Sequence, residues 1–219
     1  MKKAIIVGST GLVGHELTEL LLANSLYSEV ITLVRKQSGR KHLKLREVIV
    51  EFDHLEKVKD QIKADEAFCC LGTTMKKAGS KEAFEKVDLI YPLNFAKYFH
   101  AHGGNEFTII TAMGADEQSM FYYNQIKGRV ERELEQMKFE VLNIIRPSLL
   151  IGERKEKRAG EGIGAFIFSL IDWMFVGAMK RYKSIKGITV AKAMVRIQEN
   201  NTEGINIYTS DKLQVLGTP

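Results

Sequence analysis

The sequence predicts an α/β protein with a doubly wound parallel sheet and a small C-terminal elaboration, all in one domain over residues 1–219. Two observations lead there. Short apolar runs without polar alternation, of the kind that suits strands covered on both faces, alternate along the chain with helical stretches. Between the first run and the first helix stands VGSTGLVGHEL, residues 7–17, with glycines at 8, 11 and 14. Composition agrees: 219 residues can bury a sizeable core, and 45% hydrophobic with 27% charged residues is globular usage, not the signature of disorder.

Ala4 to Val7 is a β-rich run that stops at a glycine, and Leu12 to Ala23 sets Val13, Leu17, Leu20 and Leu21 on one helical face. Val30 to Val34 and Val48 to Phe52 are the second and third strands, and Leu55 to Ile62 is a short helix. Ala67 to Leu71 is a fourth strand, ending in Gly72-Thr73-Thr74. Ser80 caps a long helical stretch through Val87, Phe95 and Tyr98 to the stop at Gly103-Gly104, with Pro92 marking a break or kink. Phe107 to Thr111, a helix from Phe121 to Met137 and a strand from Val141 to Ile145 follow. Beyond Arg146-Pro147, residues 148–219 read as a substrate-side elaboration. It holds a charged run from Glu153 to Glu161, taken as a solvated loop or a flap over a cleft, then an apolar helix. A helix from Val190 to Glu199 behind Thr189 as cap and a last strand from Ile205 to Tyr208 complete it.

The net charge of +5 is spread among acids rather than gathered in a block, which favours solubility and anionic small molecules over nucleic acid. Cys69 and Cys70 are adjacent at the end of an apolar run, so no disulfide framework is implied and a cytoplasmic protein is expected. MKKAIIVGST runs straight into the glycine loop and reads as a strand, not a signal peptide. Ile163 to Met179 contains Asp172 and is short for a membrane span; a buried or interface helix is expected there. His100 and His102 lack partners at ligand spacing, so no metal is expected.

The glycine loop has a mechanism attached. Gly8 permits a tight turn, Gly11 leaves no side chain in the path of a pyrophosphate, and Gly14 lets the helix lie close to the strand. Amides at the helix N-terminus then face the anion. An NAD site carries an acid about 20 residues beyond the loop, where this chain has Val34-Arg35-Lys36. Two cations suit a 2′-phosphate, which Arg can meet in a bidentate way, so NADP(H) is expected over NAD(H). The alternative is that Arg35 is only a solvated charge after a strand.

Chemistry is suggested by Tyr123 and Lys127, which share a face at helical spacing of four. A free phenol, with a pKa near ~10, is a poor proton donor and acceptor at neutral pH, and a nearby ammonium favours the phenolate. The hydroxyl of Thr111, at the end of the fifth strand, can orient a carbonyl or alcohol oxygen.

With Gly8-x-x-Gly11-x-x-Gly14 and Tyr123-x-x-x-Lys127 in this order, the chain resembles an atypical short-chain dehydrogenase/reductase. The segments TAMGAD (111–116), YNQIKGRVE (123–131) and IIRPSLLIGER (144–154) are similar to the branch containing the Tat-interacting oxidoreductase and its bacterial relatives. The resemblance implies a Rossmann fold in which Gly8, Thr10, Gly11, Leu12 and Val13 line the pyrophosphate and Arg35 meets the 2′-phosphate. It implies Asp53 near the adenine amino group, Leu71, Gly72 and Thr73 over the ribose, and Pro147 near the nicotinamide. Tyr123 and Lys127 become the catalytic pair, with Lys127 also bonding the ribose. One departure stands out: the usual catalytic serine region reads Thr111-Ala112.

The function so implied is an NADP(H)-dependent oxidoreductase acting on a small carbonyl or alcohol. The substrate pocket is expected from the Gly114 to Tyr122 loop and residues 148–185, including Phe166, Trp173 and Phe175, which equally suit a core or a homodimer interface. The other reading is a non-catalytic NADP(H)-binding redox sensor or protein-binding module. A nucleotide-sugar epimerase or dehydratase is disfavoured, because the chain ends too early for the larger substrate domain of those enzymes.

Overall fold

Seven strands form one parallel sheet in the computed structural model, which describes residues 1–152, 183–200 and 202–218. The strands are β1 (Lys2–Val7), β2 (Tyr27–Val34), β3 (Leu45–Ile49), β4 (Glu66–Cys69), β5 (Glu106–Ile110), β6 (Val141–Arg146) and β9 (Gly204–Thr209). Their order is β3-β2-β1-β4-β5-β6-β9. The chain therefore winds outward from β1 in one direction, then returns and winds outward from β4 in the other. A crevice opens beyond the carboxyl ends of β1 and β4, where the order reverses, and such crevices take ligands in open α/β sheets. Val7 pairs with Leu33 on one side and Cys69 on the other, so all three strands end at that crevice.

The continuous apolar runs arise because both faces are covered. Ile5 and Val7 point to one face, packed with Phe84, Phe95, Phe99 and Phe107. Ala4 and Ile6 point to the other, against Val13, Leu17 and Leu21 of α1 (Leu12–Ala23) and Val190 and Met194 of α6 (Gly187–Glu199). Fully burying one such side chain contributes about 1.5–3 kcal/mol. The remaining elements are α2 (Met75–Ala78), α3 (Lys81–Glu85), α4 (Tyr91–Ala101), α5 (Tyr122–Glu135), α7 (Ser210–Gly217) and a small pair of strands, β7 (Leu150–Ile151) and β8 (Ile185–Lys186).

Several boundaries differ from the sequence expectation, and a helix, Ser210–Gly217, follows the strand that was expected to complete the chain. The third strand lies at Leu45–Ile49 because it takes its register from β2, Val30 to Leu45 through Val34 to Ile49. Phe52 is thereby freed to stack on Tyr91 at 5.4 Å, opening a 3-10 segment (Phe52–Gln61) where a regular helix was expected. The helix expected behind Thr189 starts earlier, at Gly187, where any Cβ would lie 2.8 Å from the Leu12 side chain. Pro92 marks a π turn (Lys86–Ile90) instead of a simple break. Pro92 has no N–H to give the Asp88 carbonyl four residues back, and the Tyr91 N–H reaches five back to Lys86.

The charged run from Glu153 to Glu161, the apolar stretch from Ile163 to Met179, and Phe166, Trp173 and Phe175 lie outside the described residues. Among the described residues no helix is long and apolar enough to cross a membrane.

Candidate active site

The glycine loop closes the turn from β1 into α1. Gly8 has φ +80°, and a Cβ there would fall 2.5 Å from the carbonyl of Cys70. A Cβ at Gly14 would fall 2.2 Å from the Gly8 carbonyl oxygen, so this glycine brings the helix onto the loop that leaves the strand. Thr10 and Gly11 are exposed, and Leu12 is half-buried while Val13 is buried. Gly11 is the N-cap of α1, with no side-chain cap and no acid in the first turn. An uncapped N-terminus with an exposed glycine at its entrance fits the pyrophosphate of a dinucleotide.

Three further segments follow the carboxyl ends of β2, β3 and β4. Arg35 and Lys36 stand exposed just past β2, and among the described residues no acid forms an ion pair with either. Asp53, also exposed, receives a bond from Lys86 at 2.9 Å. Lys86 first, then Tyr91, hold its carboxyl below the ordinary range, beside the Phe52–Tyr91 ring pair. Past β4, Leu71, Gly72 and Thr73 leave the sheet, and the Thr73 N–H donates to Asp88 Oδ2 at 2.9 Å.

Tyr123 and Lys127 are on the first turns of α5, as the spacing predicts. Tyr123 is 37% exposed and its ring packs 5.7 Å from that of Phe84. Lys127 is only 3% exposed, and its ammonium sits 2.7 Å from Oδ1 of Asp88, which is itself buried. A Cβ built on Gly72 would lie 3.5 Å from that Asp88 oxygen and 3.9 Å from Lys127 Nζ, so the pair lies directly under the β4 loop.

The electrostatics depart from a simple phenol–ammonium couple. Burial pulls the Lys127 pKa down, but Asp88, with smaller help from Tyr123 and Cys69, more than offsets it and leaves the ammonium above its ordinary range. At Tyr123 burial pushes the phenol up, Lys127 pulls it down and Asp88 pushes it up again; the net shift is upward. The expected lowering is present as a contribution but does not win, because burial outweighs the cation and Asp88 counters it further. Cys69 is pushed up to about 12 by burial, and burial likewise raises Cys70, so neither thiol is poised to ionise.

Thr111 does not face the crevice with a free hydroxyl. It is buried, and its Oγ1 donates to Glu131 Oε1 at 2.5 Å. Arg146 grips both oxygens of the same carboxylate, with Nε at 3.0 Å from Oε1 and Nη2 on Oε2. The Glu131 hydrogen bonds, ahead of the cost of burial, raise the Arg146 pKa, so the guanidinium stays charged. This cluster ties the end of β5 to α5 and the end of β6. Pro147 is buried just past β6, where its carbonyl accepts from the Met113 N–H at 3.0 Å.

Asp88, Glu131 and Arg146 were missed by motif reading. Glu131 could have been found one turn beyond Lys127 on the same face. Asp88 carried only a weak signal, standing four residues before a proline inside a helical run.

These features define a parallel, doubly wound dinucleotide-binding fold. The chain belongs to the NAD(P)H-binding family, which matches residues 8–166. Protein HTATIP2 of Rattus norvegicus is 31% identical over 89% of this chain and 80% of its own length, in keeping with the resemblance read from the motifs. Protein FMP52, mitochondrial, of Candida albicans is 30% identical over 97% of this chain and 93% of its own. The fold is shared with the enzyme WbmH of Bordetella bronchiseptica, solved in complex with NAD+, at TM-score 0.70 and 16% identity over 96% of this chain and 76% of that one.

The comparisons correct one expectation. A cytoplasmic location was read from the unpaired cysteines, whereas fungal relatives are named as mitochondrial. Unpaired cysteines report only a reducing compartment, and more than one compartment meets that description.

Proposed function

We propose that this chain is an NADP(H)-dependent oxidoreductase of the short-chain dehydrogenase/reductase type, interconverting a small carbonyl compound and its alcohol. The observation that carries the reading is the placement of Lys127 beneath the β4 loop, with Tyr123 one turn earlier on α5, at the crevice where the glycine loop also opens. The nicotinamide, when bound, supplies or accepts the hydride. Tyr123 gives its phenolic proton to the carbonyl oxygen in reduction and takes it back in oxidation. Lys127 steadies the phenolate left behind and bonds the ribose. Gly8, Thr10, Gly11, Leu12, Val13 and Gly14 hold the pyrophosphate; Leu71, Gly72, Thr73 and Pro147 wall the nicotinamide half.

Arg35 and Lys36 hold the 2′-phosphate, supported by their exposure and the lack of a described acidic partner. Asp53 meets the adenine beside the Phe52–Tyr91 rings. Met120 and Phe121, 93% and 70% exposed at the entrance to α5, favour an apolar carbonyl compound.

Tyr123→Phe is expected to lower NADPH-dependent turnover of an aromatic aldehyde and ketone panel by about 10²–10⁴-fold, the usual weight of acid–base catalysis, with NADPH affinity retained. Arg35→Ala is expected to erase a preference for NADPH over NADH. Full turnover in the Tyr123 variant would refute the catalytic assignment.

One observation favours a second reading. Thr111 spends its hydroxyl on Glu131, so the third catalytic group is not on offer, as suits a coenzyme-binding sensor. NADPH binding by the wild type with no turnover of any carbonyl in the panel would decide for it.

A further inference from the structure

We propose that Asp88 is a positioning residue that keeps Lys127 an ammonium and holds it beneath the β4 loop, acting on Tyr123 through Lys127 and touching no reactant. The geometry is a two-handed grip. Oδ1 is 2.7 Å from Lys127 Nζ, and Oδ2 accepts the Thr73 N–H at 2.9 Å. One carboxylate therefore fixes both the cation and the loop laid over it. Its side chain has no exposed surface and that of Lys127 has 4%, so the pair is shielded from water and salt.

The turn that carries Asp88 explains why it reaches so far. The π turn Lys86–Ile90 widens the helix by one residue just before Pro92 and places Asp88 inward, against α5 and the β4 loop. Among the described residues the titratable groups that act on Lys127 are Asp88 from the π turn, Tyr123 from its own helix and the Cys69 thiol from β4. Cys69 stays protonated at neutral pH, its thiol pushed up to about 12 by burial, so Asp88 is the standing counter-charge. A lysine buried without one loses its proton near pH 5–6 in documented cases, roughly. Lacking Asp88, Lys127 would turn neutral and leave the Tyr123 phenolate without support.

The catalytic meaning of this pair rests on the oxidoreductase reading above, but its electrostatics do not, and the test keeps them apart. The Lys127 side-chain resonance is followed by NMR against pH in the lysine-labelled full chain, assigned by its loss in Lys127→Met. In the wild type it is expected to titrate above 10.5. In Asp88→Asn it should titrate well below the wild-type position, with Asp88→Glu restoring most of the difference. If carbonyl turnover is found, the alkaline limb of its pH profile should move down with Lys127 in Asp88→Asn. A purely structural Asp88 would lower the melting temperature and leave the lysine titration in place, and that result overturns the proposal. The expected NMR result without carbonyl turnover by the wild type would count for the proposal and against the oxidoreductase reading.

Should Asp88→Asn fail to fold, the double variant Asp88→Asn/Lys127→Met provides the check. With the cation gone the asparagine should be tolerated, and a double variant no more stable than Asp88→Asn refutes the pairing.

Discussion

At the scale of single residues, Thr111 shows how a plausible catalytic hydroxyl is taken up by structure. Its Oγ1 is one of three donors converging on the Glu131 carboxylate, the others coming from Arg146. Hydrogen bonds to charged groups contribute about 1.5–3 kcal/mol each. Thr111→Val, which keeps the shape, is therefore expected to lower stability by about 1–3 kcal/mol in urea denaturation, while cutting turnover far less than Tyr123→Phe. An activity loss as deep as that of the tyrosine variant, at unchanged stability, would return Thr111 to the catalytic set. The hydroxyl's fate was not legible in the sequence, because its partners, Glu131 and the Ile145 carbonyl, lie 20 and 34 positions away and meet only when α5 packs beside the ends of β5 and β6.

At the scale of elements, local signals were readable wherever local physics decides. Glycines at 8, 11 and 14 gave the turn, and Ser80 caps its helix by accepting from the Ala83 N–H at 3.1 Å. Tyr123 and Lys127 share a face because a helix repeats near four. The third strand was misplaced because its bounds depend on pairing with β2, a long-range contact that an apolar run cannot report. Asp88 was hidden for a related reason: an ordinary helical count does not anticipate the extra residue of a π turn. The glycine loop supports a direct test. In Gly14→Ala the new methyl lies 2.2 Å from the Gly8 carbonyl oxygen, so α1 must move. Overpacking of this kind costs about 1–3 kcal/mol, and NADPH affinity should fall at least about tenfold, since a lost pyrophosphate contact of 1.4 kcal/mol is a factor of ten. Unchanged affinity in a fluorescence titration would separate the loop from the nucleotide.

At the scale of the whole molecule, the end of the sheet opposite the crevice carries a polar cluster that sets a pH response. Glu66 is buried at the start of β4, taking Lys2 at 2.5 Å and the Tyr27 hydroxyl at 2.5 Å. Lys2 is shifted up despite the cost of burial, and Glu66 is also shifted up, because burial outweighs both partners there. The Glu66 direction is the one that matters for folding, since its carboxyl is 1% exposed while the lysine is 46% exposed. A raised carboxyl favours the fold below its ordinary value, and that advantage is lost as pH rises through the raised one. Glu66→Gln should therefore gain stability relative to wild type between pH 4 and pH 8, as read by urea midpoints. A relative loss over that range would reverse the assignment.

The strand order also bears on how the chain comes off the ribosome. β1 lies between β2 and β4, and Val7 cannot meet Cys69 until all the chain between them has been made. The glycine loop is thus translated early but stays half-walled, since the Cys70 backbone against which Gly8 packs arrives later. A nascent chain stalled before β4 holds the loop's glycines without the wall that shapes them. If the loop takes the coenzyme as proposed, its capture is expected only once both halves of the crevice have been made.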